Sequence, residues 1–153
     1  MKNDEIIREL IADIIDMSYE KGDKYVLDNL EESILKINNP NLSYNFARYI
    51  GGADIKAHAQ VVLDSKNPEY NYNFARYIEG ADIEAHAQVV LDSKDPEYNY
   101  RFAQDVKGAD VEAHKLAAQG IDVDIQKYGL GKVKKLIKWL HDDNETKTEK
   151  KSE

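Results

Sequence analysis

Apolar residues return every three or four positions through most of the chain, which is the spacing of a helical stripe and not the alternation of a strand. Residues 4–17, DEIIRELIADIIDM, gather Ile6, Ile7, Leu10, Ile11, Ile14 and Ile15 on one broad stripe, and residues 24–37 repeat the theme with Val26, Leu27, Leu30, Ile34 and Leu35. Beyond residue 38 the stripes shorten and are punctuated. Asn39-Pro40, Asn67-Pro68 and Asp95-Pro96 each offer a capping side chain followed by a proline at the first helical position, where the missing N–H is not needed. Gly52, Gly80 and Gly108 are placed to end these helices in the left-handed conformation, and Asp54, Asp82 and Asp110 to cap the helices that follow. In the central unit this predicts helix A from Pro68 to about Glu79, a tight Gly-Ala turn, and helix B from Ile83 to about Lys94.

The punctuation is periodic because the sequence is. Residues 44–71 and 72–99 are identical at 25 of 28 positions, and the differences are Gly51 to Glu79, Lys56 to Glu84 and Asn67 to Asp95. A third copy begins at Tyr100, keeps nine of its first fifteen residues and dissolves after His114, while ILKINNPNLS at 34–43 is a weaker earlier copy. Degenerate outer units around near-identical inner ones are what an array needs, since its end units lack a neighbour on one side. On helix A the stripe predicts Tyr70, Phe74, Tyr77 and Ile78 inward and Tyr72, Asn73, Arg76 and Glu79 outward. On helix B it predicts Ile83, Ala87, Val90 and Leu91 inward, His86 at the edge, and Glu84, Gln88 and Asp92 outward. Helices this short cannot be stable as isolated pairs, so neighbouring units must stack. The predicted class is all-α: a right-handed α-solenoid of about three 28-residue hairpins. Capping helices occupy 1–38, tandem repeats 39–120, a C-terminal capping helix 121–141 and a disordered charged tail 142–153.

The unit NPEYNYNFARYIEGADIEAHAQVVLDSK lacks the signatures of tetratricopeptide and ankyrin repeats. It resembles repeats in scattered bacterial and phage proteins that share a Pro-Glu-Tyr start, a Phe-Ala-Arg middle and a Gly-Ala-Asp turn. The resemblance covers about residues 39–114; it implies stacked helical hairpins and carries no shared activity with it. Heavy use of Asn, Ile, Lys and Tyr points the same way, to an AT-rich bacterial or phage genome.

Composition narrows the function classes. The 153 residues hold 29 acidic against 21 basic side chains, a formal charge of −8, which argues against direct nucleic-acid binding and favours a neutral or basic partner. Cysteine is absent, so disulfide scaffolds, thiolate zinc sites and cysteine nucleophiles are excluded. The first residues, MKNDEIIRELIADIID, interleave charge with apolar residues unlike a secretory leader, and no uncharged apolar run reaches membrane-spanning length. The expectation is a cytoplasmic protein without membrane contact, in the host cytoplasm if phage-encoded.

Candidate chemistry begins with His58, His86 and His114, each four residues after a capping aspartate. Equivalent positions in stacked hairpins lie roughly 8–10 Å apart, too far for a shared metal whose ligands each sit about 2 Å from it. These histidines are therefore expected to be structural, bonded to a Tyr hydroxyl or a backbone group between repeats, and the Asp is expected to serve helix amides. The run Gly129-Leu130-Gly131-Lys132 lacks the first glycine and the Ser or Thr of a phosphate loop, with Gln126 and Val133 in their places, and Lys127 replaces the glycine a calcium loop through Asp122 and Asp124 would need. No cofactor, metal or enzymatic activity is expected. Tyr44 and Arg48, Tyr72 and Arg76, then Tyr100 and Gln104 recur at i, i+4 on helix A, and if exposed they form an aromatic and guanidinium strip of the residues enriched at binding hot spots; the alternatives are that each Arg merely stacks on its own Tyr in solvent or that the inner helix layer buries both. Glu79, Glu84, Asp92 and Asp95 make the second unit acidic. Near the end, KVKKLIKWLH sets Val133, Leu136, Ile137 and Leu140 among Lys132, Lys134, Lys135 and Lys138, a pattern of terminal caps, with Trp139 as anchor, or of basic membrane-surface helices. The sequence thus predicts a non-enzymatic protein-protein interaction module that binds along its stacked helices. The alternative is a phage-encoded acidic inhibitor of a host nucleic-acid enzyme or defence complex. Homodimerisation through the broad stripe of the first helix is a further possibility.

Overall fold

A computed structural model describes residues 2–125, 127, 130 and 133–142; Lys132 and positions 143–153 of the expected charged tail lie outside the described residues. Eight helices follow in order: α1 Asn3–Lys21, α2 Asp23–Ile37, α3 Pro40–Tyr49, α4 Ile55–Ser65, α5 Pro68–Tyr77, α6 Ile83–Ser93, α7 Pro96–Asp105 and α8 Val111–Ala118. A ninth, α9, runs over 133–142. Among the described residues no strand occurs and no helix is long and apolar enough to cross a membrane. Consecutive helices pair as hairpins, the odd-numbered α1, α3, α5 and α7 stack in one layer, and α2, α4, α6 and α8 stack in the other. The chain is an all-α repeat solenoid.

Capping chemistry explains where the helices begin. Asn39 accepts from the Leu42 amide at 3.0 Å, Asn67 from Glu69 and Tyr70, and Asp95 from Tyr98 at 2.9 Å, each before a proline. Asp54, Asp82 and Asp110 accept from Ala57, Ala85 and Ala113 at 3.0 to 3.1 Å. The carboxylates of the Asp-His pairs are therefore committed to helix N-termini, as expected. Gly80 takes φ +85 in the turn between the helices of its hairpin, a conformation open to glycine at no steric cost. Helix A ends at Tyr77, two residues short of the expected Glu79, because Ile78 leaves the helix in extended backbone and turns its side chain into the core. The B helices end on a feature the sequence did not announce: Asn38, Lys66 and Lys94, spaced by 28, are all left-handed.

The same period makes α1 and α2 a divergent first hairpin in register with the others. Its core joins Ile14, Val26 and Ile34 to Leu42, Phe46 and Ile50 of the next unit. The following cores repeat this arrangement: Tyr44, Ala47, Ala59 and Val62 against Phe74 and Ile78, then Tyr72, Ala75, Ala87 and Val90 against Phe102 and Val106. Each core lies between neighbouring hairpins, so stability is a sum of neighbour interfaces. The broad stripe of α1 packs into the first core through Ile7, Leu10, Ile11, Ile14 and Met17, while Ile6, 46% exposed, and the half-buried Ile15 lie outside it.

The C-terminal cap is not formed as expected. Trp139 is 64% exposed, and Val133, Leu136, Ile137 and Leu140 are exposed with it. Instead, residues 121–125 fold back on the even layer: Val123 and Ile125 pack beside Leu91, Ala113 and Ala117, while the Gln88 side chain donates to the Val123 carbonyl and accepts from the Ile125 amide, both at 2.9 Å. This backbone grip draws the chain along α6 and away from the end of the stack. The last hairpin consequently keeps an open groove of about 370 Å³ lined by Tyr100, Ala103, Gln104, Val111 and Ala118.

Position in the stack thus decides the weight of a side chain. Tyr72, 2% exposed between units, and Tyr100, 66% exposed at the open end, occupy the same repeat position. Tyr72→Ala is expected to lower the unfolding free energy by about 3 kcal/mol and Tyr100→Ala by less than about 0.5 kcal/mol, measured by urea denaturation; equal losses would contradict neighbour-interface stability.

Candidate functional site

The histidines sit at the centre of each hairpin. His86 on α6 is fully buried and stacks on Phe74 of α5, ring centroids 4.8 Å apart, and its Nδ1 lies 2.8 Å from the Asn71 side-chain oxygen. Asn71 in turn donates its amide to the carbonyls of Val62 at 3.0 Å and Asn67 at 2.8 Å. His114, Phe102 and Asn99 repeat the arrangement, with Asn99 donating to Val90 and Asp95. Since both amide protons of the asparagine go to carbonyls, its oxygen must accept, and the histidine proton lies on Nδ1. The partner is therefore an asparagine of the same hairpin, not the expected Tyr hydroxyl or inter-repeat backbone group. Asn71 occupies the stripe of Phe74 and Ile78, three and seven residues before them. A polar residue at those intervals on a core face was the available signal.

The first full unit solves the problem differently. Ser43 stands where Asn71 and Asn99 stand, too short to reach the ring, and His58 instead directs Nε2 to Glu31 of α2 at 3.1 Å. A carboxylate accepts only, so here the proton lies on Nε2 and the tautomer is inverted. Glu31 also accepts the Asp54 amide at 2.9 Å, and Asp23 accepts the Gly51 amide at 3.0 Å. A side chain at position 51 would place its Cβ 2.8 Å from the Asp23 carboxylate. A side chain here would have to displace the Asp23 carboxylate that accepts the Gly51 amide.

Burial is the main force on these rings. It lowers the His86 and His114 pKa from 6.5 to about 4, against a smaller upward pull from Asp82 and Asp110. It lowers that of His58 too, where the Glu31 carboxylate opposes it. Buried, neutral and clamped, the rings have neither the solvent access nor the poise near neutrality that general acid-base work requires. Among the described residues no three metal-ligating side chains converge.

The expected Tyr-Arg strip is rearranged by one position. Tyr44 and Tyr72 are buried between successive odd-numbered helices, and only Tyr100, which has no next unit, is exposed; Gln104 is exposed with it. Tyr77, expected in the core, is 44% exposed. A single-stripe reading assumes one buried face, whereas an inner-layer helix of a stack is covered on two. The arginines remain outside: Arg48 and Arg76 each donate to the tyrosine hydroxyl one turn back, Tyr44 at 3.0 Å and Tyr72 at 2.7 Å. Arg48 lies over Tyr49 at 5.3 Å and Tyr77 at 4.5 Å, and Arg76 lies over Tyr77 at 4.9 Å and over its own Tyr72 at 5.8 Å. The result is an alternating stack, Tyr49, Arg48, Tyr77, Arg76, along the edge of the odd layer.

The acidic residues divide. Glu79 and Glu84 are exposed, Asp92 is exposed and accepts from Gln88 at 2.8 Å, and Asp95 is occupied as a helix cap. No family model, curated protein or solved structure matches the chain.

The buried rings impose a pH dependence. The unfolded chain takes up a proton at each histidine near pH 6.5 and the folded chain only near 4, so the folded state holds fewer protons between those values and loses stability as pH falls through them. Stability is complete above about pH 6.5, and the loss approaches about 3 kcal/mol for each of His86 and His114 by pH 4. Urea midpoints followed from about pH 7 to 4.5 should fall steeply for the wild type and less so for His86→Gln. Parallel curves would show that His86 is not held neutral.

Proposed function

We propose that this chain is a non-enzymatic helical-repeat module that binds another protein along the exposed edge of its odd-numbered helices. The reading is carried by the Tyr49, Arg48, Tyr77, Arg76 stack. Tyr and Arg are the residues that supply most interface energy, and mutual stacking orders them before a partner arrives, which lowers the entropy lost on binding. Glycine-turned hairpins carry these side chains on a rigid scaffold, and the repeat spacing presents them at regular intervals. The repeat's resemblance to bacterial and phage sequences favours action in a bacterial cytoplasm, as a resident or a phage product.

A second reading, a phage-encoded acidic inhibitor of a host nucleic-acid enzyme or defence complex, is favoured by one observation: Glu79, Glu84 and Asp92 are all exposed within one unit. Such a surface would fit a basic channel.

Affinity capture from a bacterial host, followed by quantified binding of the captured protein, separates them. For the interaction module, Arg48→Ala combined with Arg76→Ala should weaken binding at least about tenfold, and nucleic acid should not compete. Binding that ignores both substitutions, collapses with salt and is displaced by nucleic acid would instead support the acidic inhibitor.

A further inference from the structure

The repeats offer an internal comparison at one position. Residues 49, 77 and 105 are equivalent, and they are Tyr, Tyr and Asp. At the end of α7, Asp105 supplies a carboxylate to the preceding unit: its Oδ2 accepts from the Tyr72 hydroxyl at 2.6 Å and pairs with Arg76 Nη1 at 3.4 Å, and Arg76 Nη1 lies 2.7 Å from the same hydroxyl. Tyrosine, arginine and carboxylate close a triangle.

One unit earlier the triangle lacks its acid. Tyr44 and Arg48 keep the same bond, at 3.0 Å, but the residue that faces them from the next helix is Tyr77, which offers Arg48 the face of its ring. Stacking engages the flat side of a guanidinium and leaves the donors at its edge free to bond in the plane. Among the described residues no carboxylate pairs with Arg48, and the Tyr44 proton has no acceptor. Arg48 and Tyr77 also wall a groove of about 470 Å³ between successive hairpin turns, with Ala47, Ile50 and Ile78 as apolar floor and Glu79 on its rim.

We infer that the Arg48 and Tyr77 groove receives an aspartate or glutamate side chain of a partner protein, which supplies in trans the carboxylate that Asp105 supplies to Arg76 within the chain. The inference rests on the protein-binding reading above and names the chemistry of its first contact. An acidic segment crossing the groove would set its carboxylate against the edge of Arg48 and its neighbouring side chain over Ile50 and Ile78. Glu79 repels such a segment, so it restricts entry to peptides whose charge lies on the Arg48 side. Asp105 has the opposite effect at the next unit, since it fills the equivalent place from inside. The array therefore carries one such receptor where its repetition would suggest two.

The test follows the arginine Nε–Hε resonances of the labelled full chain by NMR while a capped tri-glutamate peptide is added, with capped tri-glutamine at matched ionic strength as control. Arg48 should show a saturable shift with tri-glutamate alone, and Arg76, already paired, should stay still. Tyr77→Asp installs the internal carboxylate and should abolish the Arg48 response. Asp105→Tyr frees Arg76 and should create a second response like the first. Glu79→Gln should tighten binding by a few-fold, as removal of one exposed like charge does. Equal shifts at Arg8, Arg48 and Arg101, an Arg48 indifferent to tri-glutamate, or a response that survives Tyr77→Asp would overturn the inference. Partner capture that needs Arg48 and Arg76, found together with an indifferent Arg48 edge, would keep the binding strip and remove the carboxylate. A tri-glutamate response found with capture that ignores both arginines would keep the carboxylate site and remove the strip.

Discussion

A buried carboxamide holds the array together. Asn71 lies on α5, bonds the Val62 carbonyl of α4 and accepts from His86 of α6, so one side chain ties the end of one hairpin to both helices of the next. Its own Asn67 carbonyl takes the second amide proton. Each of the polar atoms of that carboxamide is satisfied inside the protein, and this is the condition under which a buried polar group specifies a geometry and does not simply weaken a core. Phe74, one turn along, presses on the ring that the asparagine orients. The apolar contacts between units supply most of the free energy, but they are non-directional; the hydrogen-bonded node fixes the angle and offset at which one unit meets the next.

The α3–α4 hairpin shows what happens when the node cannot be built. With serine at 43, the ring of His58 is held from the other side, by a carboxylate on α2, and its proton moves to the other nitrogen. Two further contacts of α2, Glu31 to the Asp54 amide and Asp23 to the Gly51 amide, attach the divergent hairpin to the turn of its neighbour. Acidic residues that lower the net charge of the chain are thus partly structural. The same is true of Asp95 and Asp105, one a helix cap and the other an ion-pair partner, so formal charge overstates the acidity that a partner would meet.

The architecture was legible because repetition, proline and capping residues all announce helix starts, and the structure places those starts at Pro40, Pro68 and Pro96. Burial was legible only in part. Phe74 and Ile78 follow the stripe, but Tyr72 and Tyr77 exchange the places a single amphipathic face assigns them, because contact with the next unit along the stack buries a second face that no periodicity within one helix can reveal. The left-handed Lys66 and Lys94 went unread since lysine is not a residue that signals that conformation. The partner of the histidine was hidden by distance: Asn71 and His86 are fifteen residues apart on different helices, and nothing in either local pattern connects them. The C-terminal helix had the composition of a cap, but the preceding strap is anchored to α6 by the Gln88 side chain, and that tertiary contact sets its course.

The open groove beside Tyr100 has a consequence for how such a chain changes over generations. Each of the two later units brings its own asparagine, phenylalanine and histidine, and reaches back to a carbonyl that the preceding unit provides. A duplicated segment one period long is therefore complete wherever in the period it is cut, and the two central units, alike at 25 of 28 positions, are what such a copying event leaves behind. Among the described residues nothing covers the last hairpin beside Tyr100. The array can grow by whole units, each new hairpin setting by one residue, tyrosine or aspartate, whether its neighbour's arginine meets a ring or a carboxylate.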